Sequence, residues 1–308
     1  MIAVFNALIP VMAIILLGML LRRAPLFTDE SWHGFENLCY FVLFPALLIK
    51  TLATAKIAST ELLLFSAMVL FAIFGMSLLL LLCQPLMRRW LGIDGPAFTS
   101  LFQGATRWHG FIALSIVGLL YGDEGVAYMA IIMAVIIPPL NVINVSVLAR
   151  FTDGPGGLQD VLRKLLRNPF IIACFIGATL NLTGIGLPSQ IFSLFDILGG
   201  GALGLGLLTV GAGLHFSLVL DHLLLVSFGA AIRLLGMPLL MFTGAWLFGI
   251  DGVPRTVAVI AAAVPTASTS YILARQMGGD APLMANLITV QVVAAALSLP
   301  MMIWLAGF

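Results

Sequence analysis

The stretch Trp90-Leu91-Gly92-Ile93-Asp94-Gly95 returns later in the chain as Trp246-Leu247-Phe248-Gly249-Ile250-Asp251-Gly252. From Gly92 to Gly249 and from Asp94 to Asp251 the offset is 157 residues. Outward from that pair, Pro10 and Gly18 fall on Pro169 and Gly177 at an offset of 159, and Gly122 falls on Gly278 at 156. Three matches in register point to a duplicated unit. The competing explanation is that Gly- and Leu-rich helices align with one another by composition alone.

Composition says what the unit is made of. Of 308 residues, 61% are apolar and 9% charged, against about 45–50% and about 25% in a soluble domain. An ordinary soluble enzyme and a disordered chain are excluded. With a net charge of +1 and no basic tail, so is a nucleic-acid binder. The 31 Gly and 15 Pro suit membrane helices better than soluble ones. Cys39, Cys83 and Cys174 lie in apolar runs without CxxC or metal-ligand spacing and read as buried small hydrophobes. The opening run Ile2 to Leu21 ends at Arg22-Arg23. A signal peptide has the opposite order, charges first, so this run reads as a retained span.

A helix crosses the roughly 30 Å of hydrocarbon in about 20 residues. That ruler gives ten segments: 2–22, 35–55, 61–86, 97–120, 126–149, 166–184, 192–214, 222–248, 255–275 and 283–307. Their apolar runs are continuous rather than alternating, which excludes a β-barrel. Orientation follows Lys and Arg near the span ends. With the N-terminus outside, inner loops hold Arg22, Arg23, Arg88, Arg89, Arg150, Arg163, Lys164, Arg167 and Arg275, and outer loops hold Lys50, Lys56 and Arg255. The expected fold is therefore an all-α integral protein of the inner (plasma) membrane, with both termini outside. Residues 1–150 form the first five-helix repeat, 151–165 a cytoplasmic linker, and 166–308 the second repeat. Five is odd, so the second copy is inverted. Inverted repeats mark secondary transporters, whose substrate site lies near the midplane between repeats.

Spans four and nine both read as interrupted. Span four carries Gln103-Gly104-Ala105-Thr106-Arg107-Trp108-His109-Gly110, and span nine Val264-Pro265-Thr266-Ala267-Ser268-Thr269-Ser270. At an offset of 156, His109-Gly110 falls on Pro265-Thr266. Proline removes a backbone donor and clashes with the preceding turn. Irregular backbone at membrane depth persists only where it lines a cavity or is buried in protein.

Asn6-Ala7-Leu8-Ile9-Pro10, Arg22-Arg23, Phe44-Pro45-Ala46-Leu47-Leu48, Arg167-Asn168-Pro169, Pro265-Thr266-Ala267 and Gly278-Gly279-Asp280, in this order and spacing, resemble the auxin efflux carrier family. The resemblance covers essentially the whole chain. It is nearest to bacterial members assigned to malonate or malate. It implies two inverted five-helix repeats, with helices four and nine crossing at broken midpoints. It also implies a scaffold of helices one, two, six and seven beside a moving transport domain. Family members often carry asparagine near the helix-four break, where this chain has His109. Histidine can take a proton near neutrality, which makes a proton-linked site an expectation.

Ionisable groups inside spans are functional candidates by default. Arg107 beside helix N-termini suits a carboxylate; its bland role is pairing with helix-end carbonyls or snorkelling. His109 is a substrate or proton contact, or a satisfied buried imidazole. Arg233, midway along span eight, has Asp196, a carbonyl or the substrate as partner. Thr266, Ser268, Ser270, Asn286 and Gln291 offer hydrogen bonds near the second break, and each alone is more often interhelical glue. Pro138-Pro139 kinks span five, with Asn141 and Asn144 facing either the cavity or a packing seam. Gly199 to Gly213 reads as close helix packing.

The expected substrate-binding set is Arg107, His109, Gly110, Pro265, Thr266, Ser268, Asn286, Arg233 and Asn141. Arranged in this way, the residues suit a secondary carrier moving a small organic anion, a mono- or dicarboxylate, by alternating access. A membrane-embedded enzyme lacks its motifs: there is no HExxH and no Gly-x-Ser-x-Gly, and His33, His109, His215 and His222 are scattered. A passive channel or sensor is the third class. No cofactor, metal or nucleic acid is expected. The expected partners are the anion, the lipid bilayer, a coupled proton and a second copy in a homodimer.

Overall fold

Hydrocarbon offers backbone N–H and C=O groups no partner, so a spanning chain satisfies them internally. Among the described residues of the computed structural model (2–24, 27–55, 59–152, 168–214 and 223–307) this is done by helices, with no strand. The charged stretch 153–167, with Arg163, Lys164 and Arg167, lies outside the described residues, as do Lys56, His215 and His222.

Eleven helices are described. They are α1 (Ile2–Arg23), α2 (Asp29–Thr54), α3 (Ser59–Leu91), α4 (Gly95–Thr106), α5 (Gly110–Phe151), α6 (Pro169–Thr183), α7 (Ser189–Ala212), α8 (Leu223–Phe248), α9 (Gly252–Ala263), α10 (Thr269–Met277) and α11 (Ala281–Leu305). Six stretches are long and apolar enough to cross a membrane: Asp29–Thr54, Glu61–Leu91, Gly95–Phe151, Ser189–Ala212, Leu223–Phe248 and Ala281–Leu305. Pro169–Thr183 and Gly252–Ala263 are shorter apolar helices. The second span was expected to begin at 35, but its helix begins at Asp29. Thr28 caps it through Ser31 N–H, and Asp29 and Glu30 stand in the first turn. Those acids face the positive helix end, and hydropathy alone does not register such a polar prefix. Two helices contain π-helical turns, Cys39–Leu43 in α2 and Ile232–Gly236 in α8.

The outside is covered by apolar side chains, and a small set of polar ones is held within a largely apolar interior. Leu63, Leu82, Leu182 and Leu297 are exposed, while Gln103, Thr106, Asn144, Arg233, Thr266, Ser270 and Gln291 are buried. The apolar exterior is what a chain solvated by lipid requires, and the polar groups within are the ones that need partners. Trp90 and Trp246, at the ends of α3 and α8, are 76% and 81% exposed. Cys39 and Cys174 are buried, whereas Cys83 is half-buried.

Small residues set the packing of α1, α2, α6 and α7. A Cβ on Gly211 would stand 1.9 Å from Ile15 O, and one on Gly18 would stand 2.1 Å from Leu208 O. The backbones of α1 and α7 therefore touch. Gly177 of α6 does the same against Leu52 and Ile49 of α2. Asn181 Nδ2 donates to Leu52 O at 3.0 Å and Ala55 O at 2.7 Å, closing the end of α2. Of the glycine run, Gly199 and Gly206 also meet neighbours, but Gly200 and Gly204 face open space. A helix presents only one side to its partner, so not every residue of such a run packs.

The other helices surround α4 and α9, whose residues Leu101, Phe102, Val257, Ala258 and Ile260 are fully buried. Helix α5 joins the two groups. Phe111 stacks on Phe44 of α2 at 4.4 Å, and Ser115 Oγ donates to Leu203 O of α7 at 3.4 Å. At one end, Lys50 Nζ of α2 bridges Asp196 of α7 at 2.9 Å and Asp123 of α5 at 3.4 Å. Helix α5 turns sharply at Gly122 (φ 56°, ψ −142°) and keeps helical dihedrals through Pro138-Pro139.

Candidate functional site

Helices α4 and α9 are built alike. Each has 12 residues, follows an aspartate (Asp94, Asp251) and ends in an extended residue 157 positions apart. Arg107 has φ −75°, ψ 155°, and Val264 φ −68°, ψ 151°. Glycines before each helix share a left-handed conformation, Gly92 at φ 65° and Gly249 at φ 66°. The later pair Gly122 and Gly278 has φ 56° and 76°. Val264 stops helically because proline follows it, and the residue before proline is pushed toward extended backbone. No proline follows Arg107. There the chain leaves the helix because the His109 N–H turns to Pro265 O, 2.9 Å away. The two interruptions thus meet, joined by a backbone hydrogen bond.

Around that meeting point, unsatisfied carbonyls at the ends of α4 and α9 need donors. Gln291 of α11 spans both breaks: its Nε2 donates to Gly104 O at 3.0 Å and its Oε1 accepts from Thr266 N–H at 2.9 Å. Thr266 Oγ1 lies 3.4 Å from Gln103 O and 3.4 Å from Ser270 Oγ. Arg233, 1% exposed, donates from Nε to Val264 O (2.8 Å), from Nη2 to Ala261 O (2.9 Å) and from Nη1 to Ala105 O (3.3 Å). Of the three partners expected for Arg233, the carbonyls are the ones engaged. Asp196 is instead paired with Lys50.

Arg107 leaves the end of α4 half-buried. Its Nη1 lies 3.3 Å from Asn141 Oδ1 and its Nη2 3.4 Å from Thr269 Oγ1. Both partners are neutral, and among the described residues no carboxylate comes within ion-pair distance. Asn144 Oδ1 accepts from Thr106 Oγ1 at 3.3 Å. The two asparagines after Pro138-Pro139 therefore both reach the break in span four. His109 precedes α5 without capping it, and its imidazole lies 6.0 Å from the Phe111 ring. Gly110 opens α5, and a Cβ there would come within 3.0 Å of Met133 Cε.

Of the nine residues expected at the site, Arg107, His109, Asn141, Pro265, Thr266 and Arg233 are linked around the crossing by the contacts above, and Gly110 follows His109 at the start of α5. Ser268 adjoins them at the start of α10, and Asn286 is buried on α11 five residues before Gln291. Two residues at the crossing escaped the sequence reading. Thr269 receives Arg107, and the amide of Gln103 is fully buried with neither polar atom hydrogen-bonded among the described residues. The available signal was a glutamine inside an apolar span.

Residues 158–303 match the family described as membrane transport protein. An uncharacterized transporter of Methanothermobacter thermautotrophicus is 22% identical over 303 residues, 96% of each chain. A probable auxin efflux carrier component 1b of Oryza sativa subsp. japonica is 27% identical over 150 residues, 47% of this chain and 25% of the rice protein. The second half of the chain thus matches a membrane transport family, and both relatives carry transporter or carrier names. In this chain the crossing is the place where helices from both halves of the sequence bring polar groups into an apolar interior.

Proposed function

We propose that this protein is a secondary carrier that moves a small organic anion, a mono- or dicarboxylate, by alternating access, with the anion held at the crossing. The observation that carries the reading is Arg107, a half-buried guanidinium whose side-chain partners Asn141 and Thr269 are neutral. The amino ends of α5 and α10 begin at Gly110 and Thr269 beside it, and helix amino ends favour anions. A carboxylate completes the charge balance of that site. His109, Gly110, Asn141, Pro265, Thr266, Ser268 and Asn286 line or support it, and a proton at His109 accompanies the substrate.

The proposed architecture is ten spans in two inverted five-helix repeats, 1–150 and 166–308, joined by a cytoplasmic linker at 151–165, with both termini outside the inner membrane. Its support is the agreement of α4 with α9 in length, preceding aspartate and exit geometry. The glycine-packed group α1, α2, α6 and α7 serves as the scaffold, and the helices around the crossing move against it.

Uptake into proteoliposomes with a panel of mono- and dicarboxylates and indole acids, with and without a proton gradient, tests the reading. A transported carboxylate is expected, with uptake reduced about ten- to hundredfold in Arg107→Gln. A charge-assisted hydrogen bond contributes about 1.5–3 kcal/mol, which is that factor in affinity. Unchanged kinetics in a folded Arg107→Gln protein return Arg107 to a structural role.

A further inference from the structure

Arg233 lies deep in α8, in the π-helical turn Ile232–Gly236, with no carboxylate at ion-pair distance among the described residues. Its charge is met by carbonyls alone. Ala105 is in the last turn of α4, Ala261 is in the last turn of α9, and Val264 caps α9. One guanidinium thus reaches the carboxyl ends of both broken helices. Each such end carries about half a negative charge and up to four carbonyls without intrahelical partners. Two of them brought together in an apolar interior repel one another. Gln291 and Thr266 cover further carbonyls there, but both are neutral. Carbonyl ends of interrupted helices are also what many carriers use to hold a coupling cation at membrane depth.

We infer that Arg233 is a built-in counter-cation for the converging carboxyl ends of α4 and α9, occupying the place of a dissociable alkali cation, so that this carrier runs without sodium or potassium at its crossing. The transport consequence rests on the carrier reading above; the electrostatic role rests on the three carbonyl contacts alone. Arg233 is a positioning residue in this account. It holds both breaks in register while Arg107 and His109 meet the substrate. The planar fork of arginine reaches three carbonyls on two helices at once, which a lysine ammonium does not reproduce.

The test compares thermal unfolding of the purified protein with that of Arg233→Ala and Arg233→Lys, in choline, sodium, potassium or methylguanidinium chloride at equal ionic strength. The wild type is expected to unfold at one temperature whichever cation is present. Arg233→Ala is expected to unfold earlier and to recover about 3 °C or more, saturably, with methylguanidinium or sodium but not with choline. Arg233→Lys is expected between the two. An Arg233→Ala protein as stable as wild type overturns the inference, and so does one whose loss no small cation restores. If Arg233→Ala yields no folded protein, Arg233→Met keeps the bulk of the stem. Folded Arg233→Met of wild-type stability overturns the inference, and failure of Arg233→Met beside a folded Arg233→Lys supports it. In proteoliposomes, wild-type uptake is expected to agree within about twofold between sodium and choline, and sodium-dependent uptake overturns the inference. Absence of any carboxylate uptake in either salt counts against the carrier reading instead, and the unfolding series then decides the role of Arg233.

Discussion

At His109 the chain places an imidazole where an asparagine would make a better helix cap, since asparagine accepts from the first backbone N–H groups and histidine does not do so here. His109→Asn should therefore fold at least as well as the wild type, so a change in its transport reports chemistry rather than damage. If a proton enters with the anion, the affinities for the two are reciprocally linked. Binding then tightens as pH falls through the range in which His109 takes its proton. His109→Asn should flatten that dependence in equilibrium binding measured from about pH 5 to 8 without abolishing binding. The substrate's own carboxyl titration is to be subtracted, and an identical profile in both proteins excludes His109 from coupling. Arg107, His109 and Pro265 were legible in the sequence because charge, imidazole and proline are expensive inside an apolar span. The bonds of Gln291 and Thr269 were not. Their partners Gly104 and Arg107 are 187 and 162 residues away, and only the crossing brings them together.

At the scale of the element, hydropathy and length located the apolar segments, but their internal departures from α-helix required the structure. Nothing in Cys39–Leu43 or Ile232–Gly236 distinguishes a π-helical turn from a regular one. Similarly, composition flagged the glycines of α7 as a group, whereas helical phase decides which of them matter. Gly211 approaches the carbonyl of Ile15, and backbone cannot yield as a flexible side chain can. Gly211→Val should therefore force α1 and α7 apart and cost about 1–3 kcal/mol or more, seen as a lowered unfolding temperature. Gly204→Ala, facing open space on the same helix, is the control and should gain slightly from helix propensity. Equal effects from the two substitutions refute the close-packing account.

For the whole molecule, the buried Lys50 (7% exposed) is, among the described residues, the ionic link between the glycine-packed group and the helix that follows the break. Its bond to Asp196 stays within that group, while its bond to Asp123 leaves it. If the two groups move against each other, the Lys50–Asp123 pair has to part in each cycle. A protein carrying Lys50→Cys and Asp123→Cys, joined by a short bismaleimide, should lose uptake while keeping its fold, and each single cysteine should keep uptake after the same treatment. Undiminished uptake by the joined protein refutes relative motion at that seam. The exposed indoles of Trp90 and Trp246 bear on the molecule in a different way. Tryptophan settles at the level of the lipid headgroups, and in the inverted arrangement proposed here these two belong to opposite leaflets. Together they fix how thick a bilayer the protein fits. A membrane thinner or thicker than that interval is met by tilting or by local deformation of the lipid. The bilayer thereby becomes a mechanical load on the same helices that surround the crossing.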